Sequence, residues 1–161
     1  MADLVPVTPP LEVVLVSPQI PPNTGNVART CAVTGCRLHL VGPLGFSTDE
    51  KALRRAGLDY WDGVKVEEHP DWSAFEGRHI RGNPGKLHLF TARECESLFT
   101  RTFRPGDLLV FGQEQLGLPP ALVAAWPERC VSIPMLAGQR SLNLAVAAGV
   151  GIYAALRALG V

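Results

Sequence analysis

Residues 11–34 read LEVVLVSPQIPPNTGNVARTCAVT and contain a strand, a break and a helix in direct succession. The β-branched run at 11–17 is typical of a buried strand. Prolines interrupt it over 18–24, and 25–34 is predicted to form a helix that ends at Gly35. The next apolar run, 37–41, indicates a second strand, so this stretch predicts a strand–helix–strand unit.

The same alternation continues along the chain. Further strands are predicted at 64–66, 86–91, 108–111 and 129–133, and further helices at 71–75, at 119–126 and from about Ser141 to about Leu159. A capping box of Ser47 and Glu50 predicts an additional short helix through Leu53 and Arg54. Strands that alternate with helices predict an α/β fold with a mostly parallel sheet flanked by helices.

The chain has 161 residues, enough for one domain with one core. Hydrophobic residues make up 47% and charged residues 19% of it, which excludes a disordered chain. We expect residues 1–10, with three prolines, to form a loose arm and residues 11–161 to form a single domain. No apolar run reaches the roughly 20 residues of a membrane span, and the first residues do not resemble a signal peptide. The expected location is therefore the cytoplasm.

The charges cancel, because Lys plus Arg and Asp plus Glu both number 15. A polyanionic partner must therefore bind to a local basic patch. Lys51, Arg54 and Arg55 lie at helical spacing and predict one basic face, and Arg101 with Arg104 forms a second pair. Such faces are often only solvated surface, so both interpretations stay open.

The cysteines and histidines give no metal-ligand pattern. Cysteines at 31, 36, 95 and 130 lack C-x-x-C spacing, and we expect them to be reduced and mostly buried. His39, His69, His79 and His88 are scattered along the sequence. The sequence therefore predicts no metal site.

Three polar loops with glycines follow three predicted strands, where open α/β sheets bind ligands. They are 21–29 (PPNTGNVAR), 112–119 (GQEQLGLP) and 134–143 (PMLAGQRSLN). Taken singly, their Asn, Thr and Ser residues could merely cap helices. Loop 112–119 lacks the Lys-Ser/Thr of a phosphate loop, and no G-x-G-x-x-G follows a strand.

Together, three motifs of this chain resemble those of the SpoU-type ribose 2′-O-methyltransferases of the SPOUT superfamily. They are NTGNxxR at 23–29, FGxExxG at 111–117 and IPM…RSLN at 133–143. Segments 37–46 and 49–60 further resemble the compact bacterial enzymes of this family that methylate the wobble ribose of tRNA, at cytidine or uridine 34. The resemblance extends over about 11–159 and implies a C-terminal trefoil knot, S-adenosylmethionine as methyl donor, and a homodimer that binds the tRNA anticodon stem-loop.

The resemblance also implies which residues form the cofactor site. It places the cofactor among backbone and side chains of three loops, at Phe90, Gly112, Ile133, Met135, Ser141 and Asn143. A glycine at 112 would let the backbone approach the cofactor closely.

The same resemblance implies that Arg29, Glu114 and Asn143 lie nearest the reacting atoms, with Asn23 and Asn26 beside them. Transfer of a methyl group from the sulfur of the donor to a ribose hydroxyl needs no metal. No histidine is placed to act as the base in this reaction. Arg29 is a cation and a poor base, so we expect it to hold phosphate or ribose oxygens and to stabilise developing alkoxide charge. Glu114 would orient either Arg29 or the amides of Asn23 and Asn26.

For RNA binding, the resemblance adds Arg140 to the basic face of Lys51, Arg54 and Arg55. Leu116 stands where close relatives often have an arginine, and LAV at 144–146 stands where they favour LSN. The alternatives are a SpoU-type enzyme for ribosomal RNA or another tRNA position, and a non-catalytic RNA-binding module of the same fold.

The last helix is the predicted dimer contact. It carries an apolar stripe formed by Val146, Gly149, Tyr153 and Leu156. The small residue of this stripe, Gly149, permits close approach of a second helix. The same stripe could instead cover the protein's own sheet, or do both.

Overall fold

In a computed structural model, which describes residues 10–55 and 61–161, seven strands form one sheet. They are β1 (Leu11–Val16), β2 (Arg37–Val41), β3 (Val66–His69), β4 (Leu87–Phe90), β5 (Glu96–Ser97), β6 (Asp107–Phe111) and β7 (Cys130–Ser132). Their order is β3-β2-β1-β6-β4-β7-β5, and each pairing of neighbours is parallel. The predicted α/β fold with a parallel sheet is confirmed.

Within the described residues, five α-helices connect and cover these strands. They are α1 (Pro21–Thr34), α2 (Glu50–Arg55), α3 (Trp72–Phe75), α4 (Pro120–Ala125) and α5 (Leu144–Leu159). A π-helical turn, Glu76–Ile80, continues α3, and 3-10 turns occupy Trp61–Gly63, Pro84–Lys86 and Pro127–Arg129. These short turns were not predicted, because they are too brief to produce a periodic pattern.

Helix α1 begins four residues before its predicted start. Pro21 and Pro22 occupy its first turn, where the missing proline N–H costs no hydrogen bond. The polar motif at 23–29 therefore lies within the helix and not in a loop before it. The predicted end is confirmed, since Gly35 adopts the left-handed conformation at φ 73°.

The helix caps also differ from those predicted. Asp49, and not Ser47, caps α2, because its Oδ1 accepts the N–H of Ala52 at 2.8 Å. Likewise Asn143, and not Ser141, caps α5, which therefore starts at Leu144. In both cases a neighbouring residue of equal capping ability holds the position, and sequence preference cannot separate the two.

Two strands differ from their predictions as well. The strand expected at 64–66 lies two residues later, where its residues pair with β2 from Leu38 to Val41. Strand β5 was missed, because two residues give no alternation to detect. Both lie at the edges of the sheet, where one partner strand alone determines the register.

Both faces of the sheet are buried, one beneath α1 and α5 and the other beneath α3 and α4. Helix α5 approaches the sheet closely at Gly151, where a Cβ would lie 2.9 Å from the ring of Phe90 and 3.2 Å from that of Phe111. Gly151 therefore allows α5 to pack directly on these two rings. At Gly149 a Cβ would meet no atom within 4 Å.

The strand order brings the carboxyl ends of β6, β4 and β7 side by side, and places the start of α1 next to β6. None of the helices in residues 10–55 and 61–161 is long and apolar enough to cross a membrane. The four cysteines are free and three of them are buried, as predicted.

Two predictions fall partly outside the described residues. Residues 1–9 of the predicted arm lie outside them, whereas the carbonyl of Pro10 accepts the N–H of Gly106 at 3.0 Å. Residues 56–60 of the motif-like segment 49–60 also lie outside them. The knot remains a prediction.

Candidate active site

The loops that follow β4, β6 and β7 enclose a cavity of about 750 Å³. This volume lies within the range of small-molecule sites. Five of the six predicted cofactor residues line it: Phe90, Gly112, Ile133, Met135 and Ser141. Arg140, which was predicted to bind RNA, lines it as well.

Other residues of the cavity were missed by sequence analysis. Thr91, Ala92 and Arg93 line it directly after β4, and Leu118 and Val123 line it after β6. Their position beyond the carboxyl ends of strands is the only signal that could have identified them. Because apolar side chains alternate with loop backbone and arginines here, the cavity suits a ligand with both a flat apolar part and charged groups.

Gly112 is required by the loop itself. A Cβ at this position would lie 2.0 Å from the carbonyl carbon of Gly117 and 2.1 Å from the nitrogen of Leu118. The loop closes through the N–H of Gly117, which donates to the carbonyl of Gln113 at 3.0 Å. We expected a glycine at 112 to let a cofactor approach the backbone. The structure shows that this glycine is needed because the two ends of its own loop lie in close contact.

The closed loop presents the Glu114 carboxylate to the beginning of α1. Its Oε2 accepts the N–H of Gln19 at 2.9 Å, and its Oε1 accepts the N–H of Ile20 at 3.0 Å. The side-chain amide of Asn23 donates to the same Oε1 at 3.4 Å. Glu114 therefore orients Asn23, one of the alternatives left open by the sequence, and binds two backbone amides that sequence analysis missed.

Asn23 connects this contact to the third loop. Its Oδ1 accepts a hydrogen bond from Nδ2 of Asn143 at 3.0 Å. Oδ1 of Asn143 accepts the N–H of Ala145 at 2.9 Å and caps α5. Asn143 does not line the cavity, so it lies beside the cavity and joins α1 to α5. The three motifs thus meet through Glu114, Asn23 and Asn143.

Asn26 and Arg29 follow Asn23 at three-residue intervals on α1, and both are exposed. Residues three apart on a helix are neighbours, so the three side chains form one polar row. Arg29 lies six residues beyond Asn23, which is about 9 Å along the helix axis. The row leads from the Glu114 contact to solvent-accessible surface.

A second cavity of about 450 Å³ lies between the start of α1 and α2. Pro21, Phe46, Lys51 and Arg55 are among its lining residues. The predicted basic face is therefore divided, because Arg54 does not line this cavity and is paired with Glu50.

The second predicted basic pair is not a surface patch. The Arg101 side chain is 8% exposed, and it donates to Nδ1 of His88 at 3.0 Å and pairs with Glu96. This guanidinium belongs to a buried network that also includes Asp107, which pairs with His88. The interpretation of Arg101 as a phosphate-binding residue is therefore wrong. A buried network needs tertiary contacts between strands, which charge spacing does not reveal.

Comparison with known proteins gives consistent matches. The SpoU rRNA Methylase family matches residues 10–153. A tRNA (cytidine(34)-2'-O)-methyltransferase of Burkholderia pseudomallei is 49% identical over 92% of this chain and 95% of its own. The chain also resembles a solved structure that gives insights into the 2-OH methylation of C/U34 on tRNA, with 47% identity, a TM-score of 0.83, and coverage of 93% and 96%.

A more distant structure carries the cofactor. The SpoU methyltransferase AviRb of Streptomyces viridochromogenes, in complex with AdoMet, is 26% identical with a TM-score of 0.74. The match covers 96% of this chain and 60% of that one.

We expect Glu114→Ala to lower the free energy of unfolding by about 1–2 kcal/mol, because it removes a charged acceptor from two helix-start amides. The control is Gln115→Ala, at an exposed neighbour, which should change it by less than about 0.5 kcal/mol. Urea unfolding measures both, and amide exchange at Gln19 and Ile20 should be faster only in Glu114→Ala. Equal exchange in the two variants would contradict the contact.

Proposed function

The chain belongs to the SpoU rRNA Methylase family, and we propose that it methylates the ribose 2′-hydroxyl of the wobble nucleotide of tRNA, cytidine or uridine 34, with S-adenosylmethionine as donor. One observation carries this proposal: two of the motifs line one cavity, and the third, in α1, is joined to them beside it through Glu114, Asn23 and Asn143. The relative from Burkholderia pseudomallei, which is named for methylation at cytidine 34 of tRNA, supports the substrate.

The residues around the cavity fit the donor. Phe90 and Ile133 offer apolar surface for a flat ring, and the backbone of loop 112–117 offers hydrogen-bonding groups. Phe90 is held by its stacking on Phe111, with ring centroids 4.4 Å apart, so this wall is rigid. When bound, S-adenosylmethionine would supply a methyl group on a positively charged sulfur. We assign Met135 and Ser141 to the same site, with Asn143 fixing the position of its third loop.

The polar row of α1 is assigned to the ribose. Arg29 binds a phosphate or ribose oxygen of the target nucleotide and stabilises negative charge on O2′ as its proton leaves. Asn26 lies next to it on the exposed face and orients the nucleotide. Asn23, through Glu114 and Asn143, holds α1 so that this row stays aligned with the cavity.

The second cavity is assigned to RNA. Lys51 and Arg55 line it and form no ion pair among the described residues, while Arg54 is paired with Glu50. Arg140, at the donor cavity, would contact a phosphate near the reacting ribose. A phosphate backbone can bind to such local patches although the whole chain is neutral.

We also propose a homodimer through α5. Leu156 is buried in the protein's own core, so one of the four stripe residues covers the sheet. Val146, Val150 and Tyr153 are 51%, 37% and 51% exposed and lie on one face of the helix. An exposed apolar face of this kind is typical of a contact between proteins. Residues 11–161 are proposed to act as a single domain, in the cytoplasm, where its tRNA substrate occurs.

The dimer predicts a mass near that of two chains of 17.3 kDa. Light scattering at micromolar concentration measures it, and Tyr153→Asp should shift the mass to that of one chain, because it places a charge in the apolar contact. Tyr153→Phe, which keeps the aromatic ring in the contact and adds no charge, is the control and should keep the mass of two chains. A wild-type mass of one chain would contradict the dimer.

The activity predicts that tRNA incubated with the protein and S-adenosylmethionine gains one methyl group at the ribose of nucleotide 34. Mass spectrometry of nuclease fragments locates the group. A methyl group at another tRNA ribose, or on ribosomal RNA only, would support the alternative substrates. Arg29→Ala should slow methyl transfer by about 100-fold or more with nearly unchanged donor affinity, and Arg29→Lys should recover part of the rate. Full activity in Arg29→Ala would contradict its role.

Lys51→Ala combined with Arg55→Ala should weaken tRNA binding and flatten its salt dependence, because each lost phosphate contact removes about one unit of slope. Arg54→Ala is the matched control on the same helix. It should change the slope little, since its guanidinium is paired with Glu50. Binding measured across a salt series distinguishes the variants, and equal slopes would refute the division of this face.

A further inference from the structure

Three of the four histidines, His39, His69 and His79, meet in space although they are scattered along the sequence. His39 on β2 lies beside β3, which carries His69 and Glu67, and the π-helical turn after α3 carries His79. One ligand atom from each of these three histidines and from Glu67 lies within 4.8 Å of every other. This cluster lies at the β3–β2 end of the sheet, whereas the donor cavity lies at the other end, near β4 and β7.

The separations between these atoms suit a metal ion. Nδ1 of His39 and Nε2 of His69 are 3.1 Å apart. The carboxylate of Glu67 lies 3.8 Å from His39, 4.0 Å from His69 and 3.5 Å from His79. Zinc bonds of about 2.0–2.2 Å in a tetrahedron place neighbouring ligand atoms about 3.3–3.5 Å apart.

One nitrogen of the cluster is poorly satisfied by the protein alone. Nε2 of His79 is inaccessible to solvent and makes no hydrogen bond within the described part of the chain, although it lies 3.5 Å from Oε1 of Glu67. A buried polar atom without a hydrogen bond is costly, and a metal ion would satisfy it. The π-helical turn that positions His79 is a rare element that is frequently found at functional sites.

The surroundings have the features of a metal site. Nε2 of His39 lies 2.6 Å from Oε2 of Glu12, and a proton donated there makes Nδ1 an acceptor that a cation would bind in place of its 3.1 Å contact with Nε2 of His69. Phe75 packs against all three imidazoles, with ring centroids 5.1–5.4 Å away, and shields the cluster from water.

We propose that His39, Glu67, His69 and His79 bind one divalent transition-metal ion, with Zn²⁺ as the best-fitting ion. Three imidazoles and one carboxylate complete a four-coordinate shell, which is typical of a structural and not a catalytic zinc site. The ion would join β2, β3 and the turn after α3. The site is independent of the proposed methyl transfer.

One charged neighbour competes with a metal ion for Glu67. The guanidinium of Arg78 lies 3.0 Å from Oε1 of this carboxylate and pairs with it.

The test is titration of tag-free, full-length protein, first freed of metal by a chelator, with Zn²⁺ in a calorimeter and with Co²⁺ in a spectrophotometer. We expect one ion per chain and the visible absorption of four-coordinate Co²⁺ with imidazole ligands. Zn²⁺ should also raise the midpoint of thermal unfolding, because it binds only the folded chain. Absence of stoichiometric binding, or a six-coordinate Co²⁺ spectrum, would overturn the proposal even if a variant failed to fold.

Variants then identify the ligands. Glu67→Gln and His79→Gln should each weaken Zn²⁺ binding more than tenfold, whereas Glu68→Gln, at the exposed neighbour, should leave it unchanged. Arg78→Ala should strengthen binding, since it frees the Glu67 carboxylate. Unchanged affinity in Glu67→Gln and His79→Gln would place the ion elsewhere. Methyl transfer is measured separately, so its failure would not bear on this site.

Discussion

The carboxylate of Glu114 holds the beginning of α1 against the loop that follows β6. It accepts two backbone N–H groups that a helix start otherwise leaves unpaired, and its charge is placed at the positive end of the helix dipole. Through Asn23 and Asn143 the same contact reaches the start of α5. Three motifs far apart in sequence are thereby kept in one arrangement, two of them lining the cavity and the third beside it. The arrangement in turn needs a glycine at 112, because a side chain there would prevent the loop from closing.

Capping and the proposed active-site roles coincide in these residues. Asn143 caps α5 with its oxygen and binds Asn23 with its nitrogen, and Glu114 satisfies a helix start while it orients an amide. A helix cap fixes a side chain in one position, which is also what a site that works by alignment requires. The structural and functional interpretations of these loops are therefore not alternatives.

The distribution of charge explains how a neutral chain could bind RNA. Many arginines are already paired inside the chain, such as Arg101 with Glu96 and Arg54 with Glu50. Other arginines have no carboxylate within 4.0 Å among the described residues. Two of these are Arg140, which lines the first cavity, and Arg55, which lines the second. Local pairing, and not total charge, determines which cations remain available for phosphate.

The sequence by itself determined the fold class, the main strands and two of the three loops around the cavity, those at 112–119 and 134–143. Buried parallel strands need continuous apolar runs, and ligand loops follow their carboxyl ends, so both leave a local pattern. Helix caps, the edge strands and the short turns were decided only by tertiary structure, because neighbouring residues such as Ser47 and Asp49 have equal local preferences. The histidine cluster is the clearest case. His39, His69 and His79 are far apart in sequence and lack any ligand spacing, and only the pairing of β2 with β3 and the turn after α3 brings their nitrogens together.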